Sequence, residues 1–175
     1  LGVDPAQEIA RAANQAGIET VEAFFEPRLA ARIRGERGPA ALVAANNVFA
    51  HADGLREMAE GVRSLLGPGG VFVFEVSYLL DVCEKLLFDT IYHEHLAYHA
   101  AGPLRAFFPR CGMEMSDARR VPTHGGSLRG VAQPAGGARR AEAILPRGQA
   151  WPVSAQRSPD AALRPSGQFN GERGP

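Results

Sequence analysis

The sequence predicts an α/β fold in which helices cover both faces of a mostly parallel sheet. Apolar segments of strand length alternate with helical segments along the first 90 residues, the pattern of strand-helix-strand crossovers. The clearest strand, at residues 71–76, is a run of valine and phenylalanine interrupted only by one glutamate. Such runs are typical of strands that are buried on both faces of a parallel sheet.

The individual elements are predicted from local patterns. The first residues indicate the end of a strand, with Asp4 as the N-cap of a helix, Pro5 at its first position and Gly17 at its end. A turn at residues 67–70 (Gly-Pro-Gly-Gly) precedes the clearest strand. The other predicted strands span residues 18–25, 40–46 and 113–121, and the other predicted helices span residues 27–34, 55–66, 79–87 and 104–108.

The composition describes a globular protein with room for one domain and a tail. The 175 residues include 19 basic and 19 acidic groups, and 45% are hydrophobic. No apolar run approaches the roughly 20 residues of a membrane-spanning helix, and the balanced charge argues against a nucleic-acid partner. With two cysteines and no secretory pattern at its start, the sequence predicts a reducing, cytoplasmic setting without membrane association.

The last part of the sequence has a different composition. Residues 130–175 contain 7 glycines and 6 prolines among 46 residues, without a hydrophobic period. This composition is typical of low-complexity segments. We therefore predict a tail of low order, disordered at residues 131–175.

Polar side chains lie at the carboxyl ends of three predicted strands: Asp4, the pair Asn46 and Asn47, and the segment from Glu75 to Tyr78. Because ligands of open parallel sheets bind beyond these ends, we expect the functional site along this edge. Asp4 could accept hydrogen bonds from both hydroxyls of a ribose, or it could serve only as a helix N-cap.

Residues 92–95 (Tyr-His-Glu-His) place a phenol, two imidazoles and a carboxylate in four consecutive positions. Imidazole can take a proton near neutral pH, a neighbouring carboxylate can raise its basicity, and a phenol can donate a hydrogen bond to a developing oxyanion. This set suits the removal of a proton beside a carbonyl group. The alternative is that these groups only cap helices and pair with one another.

Metal binding is a second functional interpretation. His95 and His99 are four residues apart and would share one face of a helix, as in a metal-dependent hydrolase. The His-Glu-x-x-His order is absent, however, because Ala97 stands four residues after His93. The sequence therefore predicts no metal site.

Two further segments have open interpretations. His51 follows the strand end at Asn46 and would either face the same edge or be an ordinary solvated loop residue. Residues 124–127 (His-Gly-Gly-Ser) combine a flexible backbone with an imidazole and a hydroxyl, which suits either a ligand-binding loop or a tight turn.

Together these motifs resemble a known family, the class I S-adenosylmethionine-dependent C-methyltransferases that act on nucleotide-linked keto-deoxysugars. The most specific matches are Tyr-His-Glu-His and the later His-Gly-Gly-Ser-Leu-Arg. The resemblance implies a partial Rossmann-like methyltransferase core. It is carried, in order and spacing, by residues 1–6, 46–51, 65–75, 88–95 and 124–129.

The resemblance also implies roles for individual residues. By motif match, His95 would be the general base that forms an enolate, and Glu94, Tyr92 and His51 would be its active-site neighbours. Asp4 would hold the ribose of S-adenosylmethionine. Asn46 would lie near the methionine part of that cofactor, and Asn47 would also belong to the cofactor-binding residues.

The same resemblance implies how the chain is organised. Residues 1–90 would form part of the cofactor-binding core, truncated before its first strand and glycine-rich loop, and residues 91–130 would begin a substrate-binding region. The family's zinc lies in an upstream domain outside this chain. Because the cofactor-binding elements would be incomplete, this fragment would be inactive alone. The competing interpretation is an inactive remnant, or an interaction module whose arginine-rich tail contacts anionic partners. The oligomeric state is not indicated.

Overall fold

The computed structural model describes residues 1–137 of the chain. Strands and helices alternate through the first 85 of these residues, as predicted. The strands are β1 (Gly2–Asp4), β2 (Thr20–Glu22), β3 (Ala40–Asn46), β4 (Leu66–Ser77), β5 (Met113–Val121) and β6 (Ser127–Pro134). The helices are α1 (Gln7–Gln15), α2 (Pro27–Arg37), α3 (Leu55–Leu65), α4 (Leu79–Lys85) and α5 (Ala101–Phe107).

The strands of this part of the chain form two sheets. β1 and β2 pair in parallel, and the other four strands pair in the order β3-β4-β6-β5. β3 and β4 are parallel, whereas β6 is antiparallel to both β4 and β5. Parallel pairing thus joins the strands that α1 and α3 connect, and β5 and β6 extend the larger sheet in antiparallel fashion.

The start of α1 differs from the prediction. Asp4 lies in β1, and α1 begins at Gln7 with Ala6 as its N-cap residue. The Oδ1 atom of Asp4 accepts a hydrogen bond from the backbone N–H of Ala6 at 2.8 Å, which turns the chain before the helix begins. The predicted N-cap role of Asp4 and the helical position of Pro5 are therefore wrong.

The start of β4 and the end of α4 also differ from the prediction. Residues 67–70 lie inside β4 instead of forming a separate turn, and the register with β3 shifts across them, so they form a bulge. Gly69 permits this with a φ of 71°. α4 ends at Lys85, two residues before the predicted end, because Leu86 has the left-handed φ of 53°.

The carboxyl-terminal strand crosses the predicted start of the tail. β6 continues to Pro134, and Val131 and Ala132 are fully buried. Their pairing with β4 and β5 gives them a place in the sheet that composition alone did not indicate. The remainder of the predicted tail, residues 138–175, lies outside the described residues.

The main core lies between the four-stranded sheet and helices α3 and α5. Phe49, Phe72, Phe74 and Phe108 are fully buried, and their ring centroids lie 5.4 to 6.4 Å apart. Burial of each such side chain stabilises the fold by about 1.5–3 kcal/mol. Since Phe49 begins the short 3₁₀ helix that ends at His51, this core also fixes the position of His51.

A second core joins the two sheets. Leu29, Ala30 and Ile33 of α2 pack against Val3 of β1 and also against apolar residues of β2 and β3. One helix therefore covers both sheets on the same side. Within residues 1–137, no helix has the length and apolar character needed to cross a membrane.

Candidate active site

Asp4, Asn46 and Glu75 lie near the carboxyl ends of β1, β3 and β4, with Asp4 in the smaller sheet and the other two in the larger sheet. Asn46 is opposite Glu75 in the register of the two strands. The N–H of Asn47 donates to the carbonyl of Glu75 at 2.8 Å, and Asn47 has a φ of 53°, which asparagine tolerates well. The edge presents the exposed amide of Asn46 and the half-buried carboxylate of Asp4.

Glu75 serves the structure of this edge. Its buried carboxylate accepts hydrogen bonds from the hydroxyl of Thr123 and from Nε and Nη2 of Arg129, the latter two at 2.9 and 2.7 Å. Burial alone would raise the pKa of Glu75, but these hydrogen bonds and the charges of Arg129 and His124 outweigh burial and lower it. The ionised carboxylate thereby fastens the segment after β5 to the end of β4.

The residues that follow Phe88–Thr90 form a turn instead of a helix. The N–H of His95 donates to the carbonyl of Tyr92 at 3.1 Å and closes this turn. The rings of Tyr92 and His95 therefore lie close together, with centroids 4.2 Å apart. The segment that the sequence singled out is compact and only partly covered.

The hydrogen bonds of His95 define which ring nitrogen can act as a base. Nδ1 lies 2.8 Å from the carbonyl oxygen of Thr90, which can only accept, so Nδ1 carries the proton and donates. In the neutral ring Nε2 is then the acceptor, and the hydroxyl of Tyr92 donates to it at 3.0 Å. The basic lone pair of His95 points toward the phenol, as a proton-abstracting pair requires.

His51 joins this pair from another part of the sequence. Its ring centroid lies 5.1 Å from that of His95. The Nε2 atom of His51 is buried and has no hydrogen-bond partner within residues 1–137. A buried polar atom without a partner is costly, so this atom is available for a polar group of a ligand.

Thr90 and Tyr98 also contact this cluster, and sequence reasoning missed them. The hydroxyl of Tyr98 donates to the carbonyl of Thr90 at 2.9 Å, the same oxygen that holds Nδ1 of His95. The Tyr98 ring also packs edge-on against His95 at 5.8 Å. A backbone carbonyl leaves no trace in a sequence, and only the position of Tyr98 three residues after His95 could have indicated this contact.

Glu94 is not part of the cluster. Its carboxylate is exposed and lies 4.0 Å from Nε2 of the exposed His93. Within the described chain it makes no hydrogen bond to His95, whose ring is held by the carbonyl of Thr90 instead. The four consecutive residues thus separate into Tyr92 and His95, which contact each other, and His93 and Glu94, whose side chains are exposed.

His99 lies in the core, away from His95. It is 6% exposed, and its ring stacks on Phe49 with centroids 5.8 Å apart. Burial lowers the pKa of His99 and favours its neutral form. Because residues 95–99 are not helical, the two histidines do not share a helix face, and no group of three or more metal-ligating side chains gathers within residues 1–137.

The His-Gly-Gly-Ser segment is a tight turn held by a buried carboxylate. Asp81 is fully buried and accepts hydrogen bonds from Nε and Nη2 of Arg120 at 2.7 and 2.6 Å. Lys85 donates both to Asp81 and to the carbonyl of Gly125. A Cβ atom at Gly126 would overlap the carboxylate of Asp81, so this position requires glycine. The geometry favours the structural interpretation of this segment.

One curated relative is similar to most of the chain. C-methyltransferase NovU of Streptomyces niveus is 39% identical over 135 residues, which are 77% of this chain and 32% of NovU. The chain therefore spans about a third of the length of this relative. No family model matches the chain.

Solved structures with a similar fold include S-adenosylmethionine-dependent methyltransferases. One from Anabaena variabilis has a TM-score of 0.55 at 18% identity, covering 76% of this chain and 67% of that chain. The magnesium protoporphyrin IX methyltransferase of Synechocystis, with bound S-adenosylhomocysteine, has a TM-score of 0.54 at 15% identity, covering 75% and 62%. The chain has the class I methyltransferase fold. The fold class predicted from the sequence is confirmed.

Within this methyltransferase fold, the cluster lies beyond the carboxyl end of β3. His51 is five residues after Asn46, and its ring reaches His95 from there. Open α/β sheets bind their ligands outside the carboxyl ends of their strands. Tyr92, His95 and His51 therefore occupy the edge where a ligand of this fold is expected.

Proposed function

We propose that this chain is part of an S-adenosylmethionine-dependent C-methyltransferase that methylates a carbon beside the ketone of a nucleotide-linked deoxysugar. The observation that carries the proposal is the direction of the His95 ring, whose acceptor atom Nε2 faces Tyr92 and lies beside His51. The similarity to NovU supports C-methyl transfer. The motifs at residues 92–95 and 124–129 support the sugar substrate.

In the proposed first step, Nε2 of His95 removes a proton from the carbon beside the ketone. The carbonyl of Thr90 holds Nδ1–H and stabilises the imidazolium that forms. The hydroxyl of Tyr92 turns from Nε2 to the ketone oxygen, which frees the lone pair and stabilises the enolate. One phenol thus serves the resting base and the developing oxyanion in turn.

The other residues of the proposed site contact the rest of the substrate. The buried Nε2 of His51 pairs with a polar group of the sugar. Glu94, on the exposed side of the turn, accepts a hydrogen bond from a sugar hydroxyl. Both contacts would orient the carbon acid toward His95.

S-adenosylmethionine supplies the electrophilic methyl group. Asp4 fits the ribose of this cofactor because its Oδ2 atom has no hydrogen-bond partner among the described residues and can accept from a ribose hydroxyl. Its Oδ1 atom already accepts from the backbone N–H of Ala6. Asn46 and Asn47 offer side-chain amides at the same edge for its methionine part. We assign residues 1–90 to the cofactor side and residues 91–130 to the substrate side, and expect complete methyl transfer to need polypeptide outside this chain.

The base step can be tested without a methyl donor. In D₂O, the chain should catalyse the exchange of the proton beside the ketone of a nucleotide-linked keto-deoxysugar for deuterium. The loss of that proton signal is measured by ¹H NMR for each member of a panel of such sugars. His95→Asn keeps a polar side chain and removes the base, so exchange should fall by about 100-fold or more.

The matched control is His93→Asn, which changes a histidine of the same turn whose side chain is exposed. This variant should exchange within about twofold of the natural chain, because surface substitutions seldom disturb a site. Near-normal exchange by His95→Asn, or equal losses in both variants, would remove His95 as the base.

A further inference from the structure

The hydroxyl of Tyr98 holds the peptide group that directs the ring of His95. It donates to the carbonyl of Thr90 at 2.9 Å, and the same oxygen accepts from Nδ1 of His95 at 2.8 Å. A carbonyl oxygen has two lone pairs, so it can accept from both donors at once. The direction of the His95 ring therefore depends on a carbonyl that a second side chain also contacts.

The turn that carries His95 is held mainly by local hydrogen bonds. Within the described chain, the backbone hydrogen bonds of residues 88–96 join residues two or three positions apart. The hydroxyl of Thr90 is also bonded locally, to the carbonyl of Leu87 at 2.7 Å. The large apolar side chains that this turn exposes are Phe88, Ile91, Tyr92 and Leu96. Segments with few buried contacts open easily, so a fixed direction of the Thr90 carbonyl needs a contact from outside the turn.

Tyr98 supplies this contact because the residue after it is fixed to the larger sheet. His99 forms a bridge with Tyr78, which follows β4, and its carbonyl accepts from the N–H of Leu79 at 2.9 Å. The side chain of His99 is buried against Phe49. The backbone of Tyr98 is thus attached to a residue with contacts to both the sheet and the core, and its hydroxyl reaches from there to the turn.

The tautomer of His95 is the property that this contact would control. In water, a neutral histidine carries its proton mostly on Nε2, whereas the proposed base needs Nε2 free and the proton on Nδ1. The hydrogen bond from Nδ1 to the Thr90 carbonyl selects this less common form. If that carbonyl turned away, the proton could return to Nε2, which would then donate to the hydroxyl of Tyr92.

We propose that Tyr98 is a positioning residue that keeps His95 in the tautomer of a base by holding the carbonyl of Thr90. The inference rests on the proposed function, in which Nε2 of His95 removes a proton. The ring of Tyr98 also packs edge-on against His95, with centroids 5.8 Å apart. A substitution that keeps this ring and removes the hydroxyl therefore separates the positioning role from the packing.

The tautomer can be measured in the chain without substrate. Long-range ¹H–¹⁵N NMR correlations distinguish a ring nitrogen that carries a proton from one that does not. At about pH 9, where an ordinary imidazole is neutral, His95 of the natural chain should carry its proton on Nδ1. The exposed His93 should carry its proton mostly on Nε2 and is the internal reference. A His95 proton on Nε2 in the natural chain would overturn the proposal.

Tyr98→Phe keeps the ring against His95 and removes the hydroxyl. The Nδ1–H form should fall to about a fifth of the His95 population, because the carbonyl of Thr90 can then turn to water. The backbone amide signals of residues 92–95 should shift little, since the turn keeps its own backbone hydrogen bond. Tyr92→Phe is the matched control, because it removes a hydroxyl from the other ring nitrogen and should leave the proton on Nδ1.

The tautomer population should also determine the rate of proton exchange. With a nucleotide-linked keto-deoxysugar in D₂O, Tyr98→Phe should lower kcat by about fivefold, because only chains with the proton on Nδ1 are competent. KM should not change, since the hydroxyl contacts Thr90 and not the proposed substrate. The fold loss in kcat should equal the fold loss in the Nδ1–H population of His95.

Three results for Tyr98→Phe would contradict the positioning role. An unchanged tautomer would show that the hydroxyl does not control His95. Loss of folding, or large shifts of the amide signals at residues 92–95, would assign the hydroxyl to the structure of the turn instead. If the natural chain exchanges no substrate proton, the proposed function fails, but the tautomer measurements still decide whether Tyr98 positions His95.

Discussion

His95 obtains its direction from a backbone carbonyl instead of the carboxylate beside it in the sequence. The sequence predicted that Tyr92, Glu94 and His95 would act together, and the structure brings Tyr92 and His95 together but leaves Glu94 exposed. Residue types could indicate that Tyr92 and His95 belong to one cluster. They could not predict the contribution of Thr90, because every residue type presents the same carbonyl.

At the scale of single residues, Tyr92→Phe removes the phenolic hydroxyl and keeps the ring that packs against His95. Removal of one oxyanion donor should lower the proton-exchange rate by about 100-fold, whereas sugar binding should persist. Tyr98→Phe is the matched change, since its hydroxyl contacts the Thr90 carbonyl and not Nε2 of His95. Tyr98→Phe should lower the proton-exchange rate clearly less than Tyr92→Phe does. Exchange rates by NMR and sugar affinity by calorimetry measure both, and equal losses in the two variants would contradict the oxyanion role of Tyr92.

At the scale of elements, sequence patterns predicted strands better than the connections around them. β3 and β5 have the predicted bounds because β3 is a continuous apolar run that ends at Asn46, whereas β5 follows Gly112 and begins with alternating apolar and polar residues. The sequence predicts a turn at the glycine-rich run before the clearest strand, but this run forms a bulge within β4, since glycine suits both conformations. Asp81 joins α4 to the turn after β5 because it contacts Gly126. These two residues are 45 positions apart in the sequence, and no local pattern indicates their contact.

Gly126→Ala tests this junction. The added methyl would overlap Asp81 and displace a buried carboxylate, so the free energy of unfolding should fall by about 2–4 kcal/mol. Gly17→Ala is the control, because Gly17 also has a positive φ but has open space around it, and it should cost only about 1 kcal/mol. Urea denaturation measures both. A similar cost for the two variants would mean that backbone strain, and not the Asp81 contact, requires glycine at position 126.

At the scale of the whole molecule, buried titratable groups determine how folding responds to acid. Burial alone would raise the pKa of Asp81, but the hydrogen bonds and charges of Arg120 and Lys85 lower it. Burial would likewise raise the pKa of Glu75, and its hydrogen-bonding and charged partners lower it. Burial lowers the pKa of His99. Each group binds a proton more readily when unfolded, so stability falls with decreasing pH, first below the ordinary histidine value of 6.5 and then below the ordinary carboxyl values of 4.5 and 3.8.

His99→Phe should remove the first of these losses. Phenylalanine keeps a ring against Phe49 and eliminates a buried Nε2 that has no partner among residues 1–137, so the variant should be at least as stable as the natural chain near neutral pH. Between pH 7.5 and 5, its free energy of unfolding should change less, because no buried imidazole then differs in proton affinity between the folded and unfolded states. Urea unfolding at several pH values measures the difference. The exposed His93→Phe should retain the natural dependence, and an unchanged slope in His99→Phe would assign the loss to other groups.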